Sequence, residues 1–310
     1  TLISKNYYST AFAPRRKTYK INELLMKKSV IVLCAFIATL FVVCSCSENS
    51  KMSEQHQESE SSYEQLELAL NAYSDSYVSS TETKGPFWKR LGNIFMCDGI
   101  GAAAGSLMGP GGSLFGAVVG STFRFIYELI DHGLDCQSTQ NLVDFYDRSA
   151  RLYDEQDSLD AADSLGLIHN RLITEILEEN PNIMSLSDIE LNRIINDKVC
   201  EYSSLSVRYS IDDFRTFSLL SKSESSESLY NDALEKYPIL EKELRLVKIY
   251  ADNVANLEDN LIPEYSLGFK EIVDASEIED SSKEIVKSAV SVTGSSKLMW
   301  QEEALLNVSE

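Results

Sequence analysis

The sequence predicts an all-α protein, a multi-helix bundle with a glycine-rich helical hairpin near the N-terminal end of its body. Three observations carry the prediction. Apolar residues recur at spacings of three and four over most of the chain, for instance Tyr63, Leu66, Leu70, Tyr73 and Tyr77. No stretch alternates apolar and polar residues between tight turns, as a half-buried strand would. Two glycine triplets of period four, Gly101-Gly105-Gly109 and Gly112-Gly116-Gly120, flank a Gly109-Pro110-Gly111-Gly112 breaker. Roughly seven to nine helices are expected.

The elements follow in chain order. Thr1 opens the sequence, and residues 1–25 carry Arg15, Arg16, Lys17 and Lys20 without clean periodicity. They are read as a mis-assigned extension ahead of an initiating Met26, the alternative being a long basic leader. Met26-Lys27-Lys28 then precedes an almost wholly apolar run from Ser29 to Val43. A positive start, a short apolar segment and small residues before a cleavage point make a signal peptide over 26–45. As a helix the apolar run is roughly 22 Å long. A bilayer core needs roughly 30 Å, so the segment is expected to be removed rather than to span.

Val43, Cys44, Ser45 and Cys46 resemble the lipobox of bacterial lipoproteins: an aliphatic residue, a variable one, a small one, then cysteine. The resemblance implies cleavage before Cys46 and acylation of its thiol. It also implies a membrane-anchored address in the cell envelope, periplasmic or surface-exposed. Two or more acyl chains give stable anchoring. Cys44 is the competing thiol, but bulky Val43 precedes it where a small residue belongs. The alternative is an ordinary signal peptide cut nearby, without lipid.

The mature chain from Cys46 is long enough for one large or two small domains. Residues 46–61, rich in Ser, Glu, Gln, Lys and His56, cannot bury enough surface to offset chain entropy and are expected to form a disordered tether. Residues 62–85 hold the Tyr63–Tyr77 amphipathic helix and a linker. Residues 86–133 form the hairpin. Pro86 suits a helix start, Phe87, Trp88, Leu91, Ile94 and Phe95 follow, and Gly133 after His132 suits a helix end. Each glycine triplet lies on one helix face and would let the two backbones approach closely. This stretch, at 99–120, resembles the glycine zippers of bacterial envelope lipoproteins and of small membrane-active bacteriocins. That resemblance leaves two placements open: a tightly packed hairpin buried in the fold, or a membrane-inserting one with Phe87 and Trp88 at the interface. The arm Gly99–Met108 is only about 15 Å long as a helix, and extending it to Phe87 draws Lys89, Arg90, Asn93 and Asp98 into the span.

From 134 to 310 the pattern is helical and acidic. Stripes run through Leu142, Phe145, Tyr146, Ala150 and Tyr153, and through Leu165, Ile168, Leu172, Ile176 and Leu177 up to Asn180-Pro181. Ser187-Asp188-Ile189-Glu190 reads as a capping box, and Ser210 to Asp213 as another helix start. Leu229 and Leu234 belong to a short helix that stops near Pro238. One long helix is expected through Leu240, Leu244, Val247, Val254 and Leu261 before Pro263. Ser281-x-x-Glu284 is expected to open a helix through Ile285, Ala289 and Val292, with a last short one over Leu298 to Leu306.

The formal net charge is −20, and seven of the basic residues but only Glu23 of the acidic ones precede Cys46. Such acidity argues against nucleic acid, whose phosphates call for Lys and Arg, and against broad adhesion to anionic lipid. Solubility is its plain reading; a divalent cation or cationic partner is the alternative, without a ligand loop to support it.

Once Cys34 and Cys44 leave and Cys46 is acylated, Cys97, Cys136 and Cys200 remain. Cys97 and Cys136 flank one apolar segment and are the candidate disulfide in an oxidising envelope, three buried free thiols being the alternative.

No phosphate-binding loop, dinucleotide fingerprint, nucleophile elbow, HExxH or CxxC is present, so no cofactor, metal or catalytic residue is expected. His132, with Asp131, Asp135 and Cys136, has zinc-ligand types nearby, but a histidine ending a helix is read as complementing the dipole. Leu165-Gly166-Leu167-Ile168-His169-Asn170 resembles a phrase in uncharacterised helical envelope lipoproteins of Bacteroidota-type bacteria. His169 and Asn170 are a candidate polar site at a helix junction. On the plainer reading they satisfy neighbouring helix groups while Gly166 allows close packing. The functional expectation is a lipid-anchored envelope protein acting as an interaction or scaffold module toward another envelope protein or peptide. The alternative is a membrane-active, pore-forming or bacteriocin-like protein that works through its hairpin.

Overall fold

The structure is a computed structural model and describes residues 52–77, 86–109, 111–132, 161–203 and 207–300. The signal segment, Cys46, Cys136, Gly133, the 142–153 stripe and residues 301–310 lie outside the described residues. Among the described residues there are ten α-helices and no strand, so the protein is an all-α multi-helix bundle.

Helix α1 spans Met52–Tyr77. It begins well inside the stretch expected as a tether, which corrects that boundary. A segment too polar to bury is not too polar to be helical: once the docked turns at Tyr63 and beyond are formed, each residue added upstream gains a backbone bond without a new nucleus. The α1 face of Tyr63, Leu66 and Leu70 is buried with Leu246, Tyr250, Tyr265 and Phe269 in one of two apolar cores. The Tyr73 ring stacks on that of Tyr265 with centroids 5.4 Å apart.

The hairpin consists of α2 (Pro86–Gly105) and α3 (Gly112–His132). A 3₁₀ turn over Ser106–Met108 precedes Gly109 and Gly111, whose φ values of 88° and 80° suit glycine alone. The glycine faces do meet. A Cβ on Gly105 would strike the Gly112 backbone, one on Gly101 the Gly116 backbone, and one on Gly120 would lie 3.1 Å from the Cys97 carbonyl oxygen. Of the two placements left open above, this structure has the buried one. Ala102, Ala103, Ala104, Ala117, Val118 and Val119 are fully buried at the centre of the larger core. No described helix is long and apolar enough to cross a membrane.

Around the hairpin lie α4 (Ala161–Glu179), α5 (Asp188–Ser203), α6 (Ile211–Leu220), α7 (Ser226–Lys236), α8 (Glu241–Val254), α9 (Ile262–Ala275) and α10 (Asp280–Met299). Helices α7, α8 and α10 pack on α2, while α4, α5 and α6 pack on α3. Helices α1, α8, α9 and α10 enclose the second core. The long helix expected over 240–261 is shorter, and α9 beyond it is a helix that the sequence reading did not place. Helix α8 stops at Val254, a short 3₁₀ turn covers Asp259–Leu261, and Pro263 sits in the first turn of α9. Proline is compatible with a helix start, where its missing N–H is not needed; it opens one helix here instead of ending another.

Both expected N-caps at Ser187 and Ser210 are formed. Ser210 Oγ accepts from the Asp213 N–H at 3.1 Å, and the Asp213 carboxylate accepts from the Ser210 N–H at 3.0 Å. The Ser187–Glu190 pair makes the same reciprocal arrangement. The Ser281 box is not formed: α10 is capped by Glu279, without a side-chain bond, and runs on through Leu298 to Met299, so no separate helix starts at Leu298.

Candidate functional site

Four helices bring polar side chains to one buried place beside the hairpin. Asp98 comes from α2, Ser121 from α3, His169 and Asn170 from α4, and Ser295 and Ser296 from α10. All six are fully buried. Such groups persist inside a fold only when hydrogen bonds replace the lost water. Asp98 Oδ2 accepts from Ser121 Oγ at 3.0 Å and from Ser296 Oγ. Asn170 Nδ2 donates to the Ser295 carbonyl at 2.7 Å, and Asn170 Oδ1 lies 3.0 Å from His169 Nδ1. With its amide nitrogen committed to Ser295, Asn170 offers an acceptor to the ring, so His169 Nδ1 carries the proton. His169 Nε2 is then the acceptor of the neutral ring. It lies 4.0 Å from Asp98 Oδ2 and makes no hydrogen bond of full geometry, and neither does Asp98 Oδ1.

Backbone proximity makes the cluster possible. A Cβ on Gly166 would strike the Ser291 carbonyl and Ser295 Oγ, and one on Gly99 would strike Thr293 Oγ1. Glycine thus seats α10 against both α4 and α2. Here the plainer sequence reading of Gly166 and Asn170 holds, since Asn170 satisfies a backbone carbonyl of the neighbouring helix.

Burial works against the charged form of both groups. Burial holds the His169 imidazole down at about 4, outweighing the Asn170 contact and the Ala117 carbonyl, which both favour the charged ring. Burial likewise pushes the Asp98 carboxyl well above the usual carboxylate range, against the hydrogen bonds from Ser296 and Ser121. Chemically, Asp98, His169 and the serines do not form a nucleophile relay. Ser121 and Ser296 give their hydroxyl hydrogens to the carboxylate, so neither is bonded to the base that would activate it.

Comparison with family models, with curated proteins and with solved structures finds no match for the chain. The site therefore rests on its own geometry.

The remaining sequence candidates fall as follows. Gly101, Gly105, Gly112, Gly116 and Gly120 line the hairpin seam, while Gly109 is in the turn and faces open space. Cys97 is a buried free thiol, so its expected disulfide is not recorded; Cys136, the other half, lies outside the described residues. Burial first, then the neighbouring Asp98, pushes the Cys97 thiol far up, only partly offset by Arg124. Cys46 is outside the described residues, as are the side chains around His132. Among the described residues no three His, Cys, Asp or Glu side chains group as metal ligands would.

Sequence reasoning missed Asp98, Ser121 and the α10 run Thr293-Gly294-Ser295-Ser296-Lys297, all buried. The available signal was a polar, glycine-containing stretch standing where an amphipathic helix should continue its apolar stripe. Lys297 illustrates it: its ammonium reaches Asp259 at 2.8 Å and lies over the Phe95 ring, 5.9 Å from the centroid.

A separate open groove of about 340 Å³ lies between α6 and α7, lined by Thr216, Leu219, Leu220, Asp232, Glu235 and Lys236.

Proposed function

We propose that the chain is a lipid-anchored cell-envelope protein, held at a membrane through Cys46 and acting by binding another envelope protein or peptide. The observation that supports the anchor is the order of residues Met26 to Cys46: basic pair, short apolar run, Val-Cys-Ser-Cys, then polar sequence. The groove between α6 and α7 is the candidate binding face. Exposed Leu219 gives it an apolar floor, and Asp232, Glu235 and Lys236 give it a charged rim, the anatomy of a protein-binding patch. The deciding experiment is the intact mass of membrane-extracted protein, wild type beside Cys46→Ala. A species beginning at Cys46 with added acyl mass, absent from the variant, supports the reading. An unacylated soluble species overturns the anchor.

A second reading, a membrane-active protein working through the hairpin, draws on one observation: the glycine-packed arms are the centre around which the other helices wrap. Leakage from anionic vesicles that disappears in Gly101→Leu and Gly116→Leu variants supports it. Intact vesicles at every protein concentration count against it.

A further inference from the structure

Helix α1 meets the rest of the protein as a bound helix meets a receptor groove. It packs on α8 and α9. Tyr63 donates to the Glu243 carboxylate at 2.6 Å, Tyr77 to that of Glu264 at 3.1 Å, and Tyr73 to the Tyr265 carbonyl at 3.3 Å. The Ser74 and Tyr265 hydroxyls are 2.7 Å apart, and Glu67 pairs with Arg245 at 3.1 Å. The Lys242 ammonium lies over the Tyr63 ring, 5.0 Å from its centroid. Leu66 and Leu70 fill the apolar middle. An apolar centre rimmed by tyrosine hydroxyls and an arginine is the composition of a recognition surface.

Gly268 shows how specific the seat is. A Cβ there would strike the Tyr73 hydroxyl and ring, so α9 is bare of side chain where Tyr73 lies. The anchors Tyr63, Leu66, Leu70, Tyr73 and Tyr77 recur at spacings of three and four, the pattern of a helix laid in a groove.

Nothing local forces α1 into the groove of its own chain. Its contacts join residues 178 to 192 positions apart. Helix α1 ends at Tyr77 and α2 begins at Pro86, so no tight turn ties one to the other. The eight residues from Val78 to Gly85 can reach at most about 29 Å.

We propose that α1 is an exchangeable arm and that the groove between α8 and α9 is a docking surface for a second copy of this chain. The α1 helix of each copy lies in the groove of the other, with the contacts of the closed form. A second copy is the fitting occupant because it carries the identical helix: every contact above is available to it without a new group, which is what makes exchange of an element a low-cost route to a dimer. An empty groove is not a stable alternative. Removing α1 uncovers Leu246, Tyr250, Tyr265 and Phe269, all fully buried, in one apolar patch. The exchange goes beyond the envelope reading and does not depend on acylation at Cys46, so either can fail alone.

The test is a knob-and-hole exchange in the full chain, in detergent. Tyr73→Ala removes the anchor and leaves the groove intact. Gly268→Leu fills the seat and leaves the helix intact. Each variant is mismatched with itself. In the mixture, the intact helix of Gly268→Leu meets the intact groove of Tyr73→Ala, and the shortened helix meets the filled seat. Native mass spectrometry tells the two chains apart by mass. The 1:1 complex in the mixture should exceed the self-complex of either variant by about tenfold or more, the scale on which relief of overpacking shifts an equilibrium. The separate variants also control for two chains sharing one micelle. Monomers throughout, or as much complex in the separate samples as in the mixture, overturn the proposal. Should Gly268→Leu fail to fold, hydrogen exchange of the wild type decides. Amides of residues 60–77 that open as a unit ahead of those of α10 support the exchangeable arm. One common rate for both helices means that α1 leaves only when the whole chain unfolds, and overturns it.

Discussion

Gly101 and Gly116 touch backbone to backbone across the hairpin: a Cβ on Gly101 would stand 2.5 Å from the Gly116 carbonyl oxygen. No side chain rotation relieves such a contact, because the obstacle is main chain. Gly92, earlier on α2, differs: its added Cβ would meet only the Ala255 methyl at 3.8 Å. Two alanine substitutions in one helix should therefore act in opposite directions. Gly101→Ala should cost about 1–3 kcal/mol through overpacking, whereas Gly92→Ala should gain up to about 1 kcal/mol of helix propensity. Denaturant unfolding of the two variants checks this, and equal effects would refute the backbone-contact account.

Arg124 is a buried cation that ties α3 to the end of α6 through the carbonyls of Ser221 and Ser223. Those carbonyls lie at and just past the C-terminal end of α6, where a positive charge also meets the helix dipole favourably. Arg124→Met should cost about 2–4 kcal/mol, because buried acceptors lose their donor. The exposed Arg193–Asp197 pair at 3.5 Å is the comparison: Arg193→Met should change stability by less than about 0.5 kcal/mol.

Glu175 joins α4 to α5. Burial pushes its carboxyl up, but hydrogen bonds from Tyr202, Arg171 and Lys198 outweigh burial and hold it below the usual range. A depressed folded value means stability that is present above the unfolded value of 4.5 and lost as pH falls through the folded one. Glu175→Gln should thus lower stability at pH 7 and flatten the acid limb below about pH 4.5. An acid limb as steep as that of wild type, read from thermal midpoints across that range, would contradict the assignment.

Thiolate chemistry should separate two cysteines. Cys97 is buried and its thiol is pushed far above its ordinary value, while Cys200 is half-exposed and donates to the Val207 carbonyl at 3.1 Å. Iodoacetamide should alkylate Cys200 in the native protein and reach Cys97 only after denaturation. Peptide mapping after timed exposure reads both sites, and early labelling of Cys97 would mean that the hairpin opens readily.

The helical stripes at Tyr63–Tyr77 and Leu165–Leu177 were legible because burial of one helix face leaves a period of three to four in the sequence itself. The caps at Ser187 and Ser210 were legible because their bonds are local, three residues apart. Pro263 was misread for a related reason: proline marks a helix boundary without telling which side the helix lies on. Two of the six residues of the candidate site were legible. His169 and Asn170 stood out as polar residues inside an apolar stripe, and Gly166 beside them signalled close packing. Asp98 did not, because a single carboxylate in an acidic chain looks like solvated surface until its partners are known.

What the sequence determined by itself is therefore what neighbouring residues enforce: helix periodicity, capping, the glycine-proline turn at 109–112, and two glycine faces capable of close approach. What only the tertiary structure decided is which surfaces those faces meet. The hairpin could have faced lipid or protein; here helices α4 to α8 and α10 enclose it, because their apolar stripes can be buried only against something equally apolar. The same packing put Asp98 beside His169, 71 positions further along the chain, and withdrew both from water. Burial is a property of the assembled bundle, and it alone shifts both titratable residues away from their charged forms.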